Sequence, residues 1–239
     1  MMDIAGLGTR VRVDLSGTGL DEKEVYHAWT RCLCDPDPEL SVFTPGPITA
    51  SALTQQITRQ LISRQIGQLL MFHAGAVCHP ITGDSVVFIA PGGTGKTTLT
   101  THLGRRYGYI SDETVAIEPG TWRIHPYPKP LSTRIPQLSG QKAELSPDDL
   151  NLKPSHPDPH ASHLILLTRC GSSPKLTMIE SQLDAMTAIA EQSSSIYKLP
   201  KPLHLLADLM SHTGGVWRAQ YAEHDTLEPF IEGLLGAPC

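Results

Sequence analysis

Ser85-Val86-Val87-Phe88-Ile89-Ala90-Pro91-Gly92-Gly93-Thr94-Gly95-Lys96-Thr97-Thr98 is the stretch on which the reading of this chain turns. Val86 to Ala90 is an apolar run, the mark of a strand buried on both faces. Three glycines follow at 92, 93 and 95, then Lys96 and Thr97, and Thr97 to Arg106 reads as a helix. The spacing is that of the P-loop, G-x-x-x-x-G-K-[ST], with Ala90 where the first glycine would stand. A triphosphate carries several negative charges. It is best met by backbone N–H groups, the positive end of a helix and one flexible cation. Gly92, Gly93 and Gly95 allow positive φ and a close backbone approach, with Thr94 and Thr98 completing the loop. Lys96 would reach the β- and γ-phosphates, and the Thr97 hydroxyl would ligate Mg²⁺.

Working outward, Ala74-Gly75-Ala76-Val77 is a second short apolar run, separated from the first by a turn at Thr82-Gly83-Asp84. Beyond the helix, Tyr107-Gly108 ends it and Tyr109-Ile110-Ser111 is a brief strand. The helix carries the chain about 15 Å from the phosphates at 1.5 Å per residue, and the strand with its flanks returns a similar distance. If that strand runs parallel to Ser85–Ala90, Asp112 and Glu113 fall beside the loop. Ligands collect at the carboxyl ends of strands in open α/β sheets. One carboxylate can then hold Mg²⁺ or its water, and the other can take a proton from an incoming hydroxyl. Spacing alone does not say which does which.

The flanking segments complete an α/β pattern. Residues 9–14 alternate like a half-buried strand, and Asp21 can cap a short helix reaching about Leu33. Leu53, Ile57, Leu61, Ile62, Ile66, Leu69 and Leu70 line one face of a helix expected from about Thr49 to Met71. Thr114–Glu118 and Trp122–His125 form a hairpin around Pro119-Gly120. Leu145 to Ser162, with four prolines, reads as a long surface connection. His163–Thr168 is a buried-type strand, Glu180–Glu191 and Pro202–Ser211 are helices, Val216–Tyr221 is an edge strand, and Thr226–Leu235 is a closing helix. The expected organisation is a small N-terminal α/β segment over 1–65 and a P-loop kinase-like domain over 66–239.

Composition narrows the partners. Nineteen basic against 24 acidic side chains give a net charge of −5. That argues against a nucleic-acid binder held by its overall field. No apolar run approaches the roughly 18 residues of a membrane span, and the N-terminus lacks the pattern of a signal peptide, so a cytoplasmic protein is expected. Five cysteines do not suggest a disulfide framework, and Cys32-x-Cys34 lacks a second pair at zinc spacing. His156, His160 and His163 would share a helical face, but Pro157 and Pro159 forbid a helix there. The stiff, basic run His125 to Arg134 places Lys129 and Arg134 as contacts to phosphate or an acidic substrate. Arg218, on a late strand, is a candidate to neutralise developing charge at the γ-phosphate.

His73-Ala74-Gly75-Ala76-Val77, the P-loop, and Gly108-Tyr109-Ile110-Ser111-Asp112-Glu113-Thr114-Val115 together resemble the kinase domain of HPr kinase/phosphorylase, and more closely its smaller bacterial relatives. The resemblance covers about residues 65–135. It implies a P-loop fold with a mixed sheet like that of phosphoenolpyruvate carboxykinase, and transfer of the γ-phosphoryl of ATP to a serine hydroxyl. By the same resemblance Lys96 serves the phosphates, Thr97 and Asp112 the Mg²⁺, and His73 matches the family's active-site histidine. Asp112 and Glu113 stand where the family has two aspartates. The expected acceptor is a hydroxyl on a peptide, small protein or metabolite. A homo-oligomer is compatible, since related kinases are often oligomeric. The alternative is a nucleotide-gated module in which no phosphate moves.

Overall fold

The computed structural model describes residues 1–134, 142–171 and 173–238, with the side chains of Arg134 and Lys142 outside that set. The chain divides into two units, one formed by Met1–Gln65 with Tyr127–Asn151, the other by Ile66–Pro126 with Leu152–Cys239. It begins in the first unit with β1 (Met2–Gly6), β2 (Thr9–Val13), α1 (Glu22–Ala28), β3 (Val42–Phe43) and α2 (Ala50–Gln65). The second unit follows with β4 (Leu70–Cys78), β5 (Asp84–Ile89), α3 (Lys96–Leu103), β6 (Gly108–Ser111), β7 (Thr114–Ile117) and β8 (Ile124–His125). The chain returns to the first unit for β9 (Leu131–Arg134) and β10 (Lys142–Leu145). It ends in the second with β11 (Lys153–Pro154), β12 (His160–Arg169), β13 (Lys175–Met178), α4 (Gln182–Glu191), α5 (Pro202–His212), β14 (Val216–Tyr221) and α6 (Glu228–Leu235).

In the first unit, Leu7 and Gly8 both take positive φ, the two-residue turn that suits the twist of an antiparallel pair, and they join β1 to β2. Strand β3 adds parallel to β2. The Asp21 carboxylate accepts from the N–H groups of Lys23 and Glu24 and starts α1, which ends at Trp29 before a 3₁₀ turn at Thr30–Cys32. Helix α2 packs on β2 and on β10 of the β9–β10 hairpin. The helix expected to reach Met71 stops at Gln65. Gly67, at φ +80, ends it, and the apolar residues from Leu70 belong to β4. The expected span 66–239 is likewise interrupted, because Tyr127–Asn151 cluster with residues 1–65. Tyr127 is fully buried there, its hydroxyl 2.9 Å from that of Thr58, and its ring fits only because position 6 is glycine. A Cβ on Gly6 would lie 2.4 Å from that ring.

The second unit is built on a nine-stranded mixed sheet whose main path runs β11-β6-β4-β5-β12-β14-β13, with β7 paired to β4 and β8 to β7. Strand β4 is antiparallel to both β5 and β6, so β5 and β6 run the same way on either side of it. β12 is parallel to β5 and β14 to β12. Alternate residues of β5 enter two cores: Val86 and Phe88 pack with Leu99, Leu103 and Ile231, while Val87 and Ile89 pack with Ile189, Leu206 and Leu209. Helices therefore cover both faces, which is why β5 reads as a continuous apolar run.

Three expectations change here. Val216–Tyr221 is a strand but not an edge, since β13 lies outside it. Leu145 to Ser162 is not wholly a surface connection: Leu152 and Ala161 are buried and Lys153–Pro154 pair with β6. The helix expected over Thr97–Arg106 is Lys96–Leu103. Among the described residues no helix is long and apolar enough to cross a membrane.

Candidate functional site

The loop between β5 and α3 is shaped by its glycines. Gly93 and Gly95 sit at φ +80 and +96, the latter as the N-terminal cap of α3. A Cβ at Gly93 would meet nothing within 4 Å, and one at Gly92 only the His73 ring, at 3.9 Å. The face of the loop is thus open enough to take a ligand against its backbone. Gly95 is different, because a Cβ there would approach the Tyr221 hydroxyl to 3.2 Å. That hydroxyl donates to the Thr94 carbonyl at 2.6 Å, so β14 holds the turn from outside. The Thr94 hydroxyl donates to the Pro91 carbonyl and closes the turn from within.

Lys96 opens α3 and is only 5% exposed. Its ammonium folds back on the loop, donating to the carbonyls of Ala90 at 2.6 Å and Pro91 at 3.0 Å. Burial lowers its pKa to about 8, against the opposing pull of Asp112 and Glu113. One residue on, the Thr97 hydroxyl donates to Asp112 Oδ2 at 2.8 Å. The Tyr109 hydroxyl donates to Asp112 Oδ1 at 3.2 Å. Asp112 is therefore buried with each carboxylate oxygen engaged. Thr98 is exposed.

The acidic pair owes its place to β4. That strand pairs with β6 and β5 through its C-terminal half and with β7 through its N-terminal half. Asp112 and Glu113 occupy the break between β6 and β7, facing the point where β4 passes from one partner to the other. The Ala74 N–H donates to the Glu113 carbonyl at 3.1 Å and fixes the break. Gly75 makes room behind it: a Cβ there would lie 2.5 Å from Thr100 Cγ2 of α3 and 3.5 Å from the Asp112 Cα.

His73 stands at the same crossing, its N–H donating to the Gln192 carbonyl at 2.7 Å. The imidazole is half-buried. Its pKa is lowered by burial and then by Lys96, while Glu113 and Asp112 pull the other way. At neutral pH it is therefore an uncharged ring.

The fold thus brings together His73, Lys96, Thr97, Asp112 and Glu113 around Gly92–Gly95. Lys129 is not among them. It belongs to the first unit, 3% exposed, and its ammonium donates to the Pro130 carbonyl at 3.2 Å. The Arg134 side chain lies outside the described residues. Arg218 is exposed on β14, in register through Leu166 with Ile89 at the end of β5. The loop histidines serve structure: His160 Nε2 lies 3.0 Å from Asp84, and His156 Nδ1 accepts from the Asp158 N–H. Among the described residues no group of three or more His, Cys, Asp or Glu is arranged to hold a metal ion.

Sequence reasoning missed Tyr109 and Tyr221. Both end or flank short strands as ordinary core aromatics, and only the tertiary fold turns their hydroxyls onto Asp112 and Thr94.

No protein-family model matches the chain, and no curated protein matches it by sequence. Among solved structures, the Hpr(Ser) kinase/phosphatase from Coxiella burnetii aligns over 69% of this chain and 87% of its own, at 14% identity and a TM-score of 0.37. At that distance, what the site can do has to be read from its own residues.

Proposed function

We propose that the chain is an ATP- and Mg²⁺-dependent phosphotransferase that moves the γ-phosphoryl of ATP to a hydroxyl, that of a serine on a peptide, a small protein or a metabolite. The contact between Thr97 Oγ1 and Asp112 Oδ2, 2.8 Å beside an open glycine loop, carries the reading. Magnesium takes oxygen donors in an octahedron at about 2.0–2.1 Å, in which neighbouring donors lie about 2.9 Å apart. A hydroxyl and a carboxylate oxygen already at that separation fit two adjacent corners. Bound Mg²⁺ would neutralise charge on the phosphates.

The chain's own groups divide the remaining work. The loop amides and the start of α3 favour anionic oxygens. The Lys96 ammonium exchanges the carbonyls of Ala90 and Pro91 for phosphate oxygens, which restores a full positive charge to a buried amine. Asp112, with Thr97 on one oxygen and Tyr109 on the other, serves the metal side. Glu113 is then assigned to the acceptor proton, with the neutral His73 ring in the same field. Phosphoryl transfer asks chiefly for positioning and charge neutralisation, and these parts supply both.

The test is transfer of γ-labelled phosphate from ATP into peptides, an HPr-like protein and hydroxyl metabolites. Glu113→Gln should slow transfer by about 10²–10⁴ while nucleotide binding persists. Asp112→Asn should raise the Mg²⁺ concentration needed, and Lys96→Ala should abolish both binding and transfer. Unaltered rates in both acid variants would sink the mechanism. Tight Mg-ATP binding without label in any acceptor would favour the nucleotide-gated module instead, and steady turnover without acceptor would indicate a hydrolase.

A further inference from the structure

The first unit encloses a cavity of about 530 Å³ between α1, the start of α2 and β10. That volume lies within the range of about 300–1,000 Å³ occupied by small-molecule sites. Leu20, Val25, Trp29, Leu53 and Leu145 give it an apolar wall. Trp29 and Leu53 are almost wholly buried, so the wall is set by the core and not by mobile surface groups.

The polar lining is lopsided. Asp21, Glu24, Glu144 and Asp149 face a single lysine, Lys23, together with His27. Asp21 is used in capping α1, and Asp149 is shared between His27 Nε2 at 2.9 Å and the Ser146 N–H at 3.2 Å. Glu144 is only half provided for. Its Oε2 accepts from the Thr54 hydroxyl at 3.1 Å, while Oε1 is shut off from water and has no hydrogen-bond partner. Ser132, directly opposite Glu144 in the β9–β10 register, has a buried hydroxyl in the same condition. An unsatisfied carboxylate oxygen in an apolar wall is costly, and native folds keep such groups where something else satisfies them.

We propose that this cavity binds an organic cation, a small molecule with an aromatic or aliphatic body and one ammonium group, the body lying against Trp29, Leu53 and Leu145 and the ammonium at Glu144. Excess negative charge selects the cation, and the apolar wall selects the body. The site belongs to the first unit alone and does not depend on the proposed phosphotransfer.

The test uses the full chain at pH 7 and three amines, 4-phenylbutylamine, tryptamine and n-hexylamine, each beside its neutral alcohol counterpart. Calorimetry should show at least one amine binding at least about tenfold more tightly than its alcohol. Amide shifts induced by that amine should fall within residues 20–29, 50–54 and 143–149. Glu144→Gln should erase the amine's advantage and leave the alcohol's affinity unchanged, with Lys96→Ala binding the amine normally. Equal affinities for amine and alcohol, shifts centred elsewhere, or no binding by any amine at millimolar concentration would each overturn the proposal. Should Glu144→Gln fail to fold by circular dichroism, the amine-to-alcohol ratio and the shift map of the unaltered chain decide the matter.

Discussion

Lys96 shows what a poised cation does to the fold that carries it. An ordinary lysine titrates at 10.5, and burial brings this one to about 8. Between those values the unfolded chain holds a proton that the folded chain has released, so stability rises with pH from about 8 to 10.5. Below 8 the fold bears the charge at a cost, on the order of 1–2 kcal/mol once solvent screening is allowed for. Lys96→Met, which removes the charge and keeps the stem, should therefore be more stable than the unaltered chain at pH 7 in the absence of nucleotide. The gap should narrow as pH rises above 8. Denaturant titrations at pH 7 and 9.5 measure this, and a gap of the same size at both would show that burial of the charge is not its origin. The same residue predicts that Mg-ATP binding takes up protons near pH 8. Nucleotide affinity should consequently fall as pH climbs through that value, which calorimetry in buffers of different ionisation enthalpy would detect.

Among the elements, the contact between β4 and α3 decides whether the loop and the acids can meet. Gly75→Ala would drive a methyl group to within 2.5 Å of Thr100 Cγ2. Overpacking of this kind costs about 1–3 kcal/mol and would push α3 away from Asp112. Thr100→Ser removes the offending methyl but keeps the hydroxyl that donates to the Lys96 carbonyl at 3.0 Å. The Gly75→Ala/Thr100→Ser pair should accordingly recover much of the loss, a coupling that a double-mutant cycle of melting temperatures would quantify. If the double variant is no better than Gly75→Ala alone, the clash lies elsewhere. Tyr221→Phe tests the outer support of the loop. Losing the hydroxyl strips a donor from the Thr94 carbonyl, at about 1 kcal/mol, and the loosened turn should raise the KM for ATP with little change in kcat. Much of this was legible beforehand. The run Ser85–Thr98 and the pair Asp112-Glu113 carry their own spacing, and the geometric argument that returned the acids to the loop rested only on rise per residue. What stayed hidden has physical causes. β13 is short and partly polar, β1 lacks an alternating pattern, and the i, i+3, i+4 pattern of α2 runs on past Gly67 because the first apolar residues of β4 happen to continue it. The two tyrosine hydroxyls gain their partners only through long-range packing.

At the scale of the whole molecule, the order of the chain and the order of the fold part company. The first unit is assembled from residues 1–65 and from Tyr127–Asn151, which the sequence reading had assigned to the P-loop domain. The cause is apolar: Tyr127 and Leu131 are wholly buried, Tyr127 against Gly6, Thr58 and Trp29 of the same unit. A fragment starting at Ile66 would leave those two side chains, and the face of β10 that packs on α2, exposed to water. Contiguous apolar surface of that kind promotes association. We therefore expect residues 66–239 to aggregate. Replacing 127–151 within that fragment by a Gly/Ser bridge of about 12 residues, with a reach of about 20 Å, should restore a monomer that melts cooperatively and binds Mg-ATP. Size-exclusion chromatography with light scattering separates the two outcomes. If the unbridged fragment is as monomeric and as stable as the bridged one, Tyr127–Asn151 does not need the first unit. If the bridged fragment is folded but no longer binds nucleotide, groups from the first unit are required at the loop, and the nucleotide site cannot be assigned to the second unit alone.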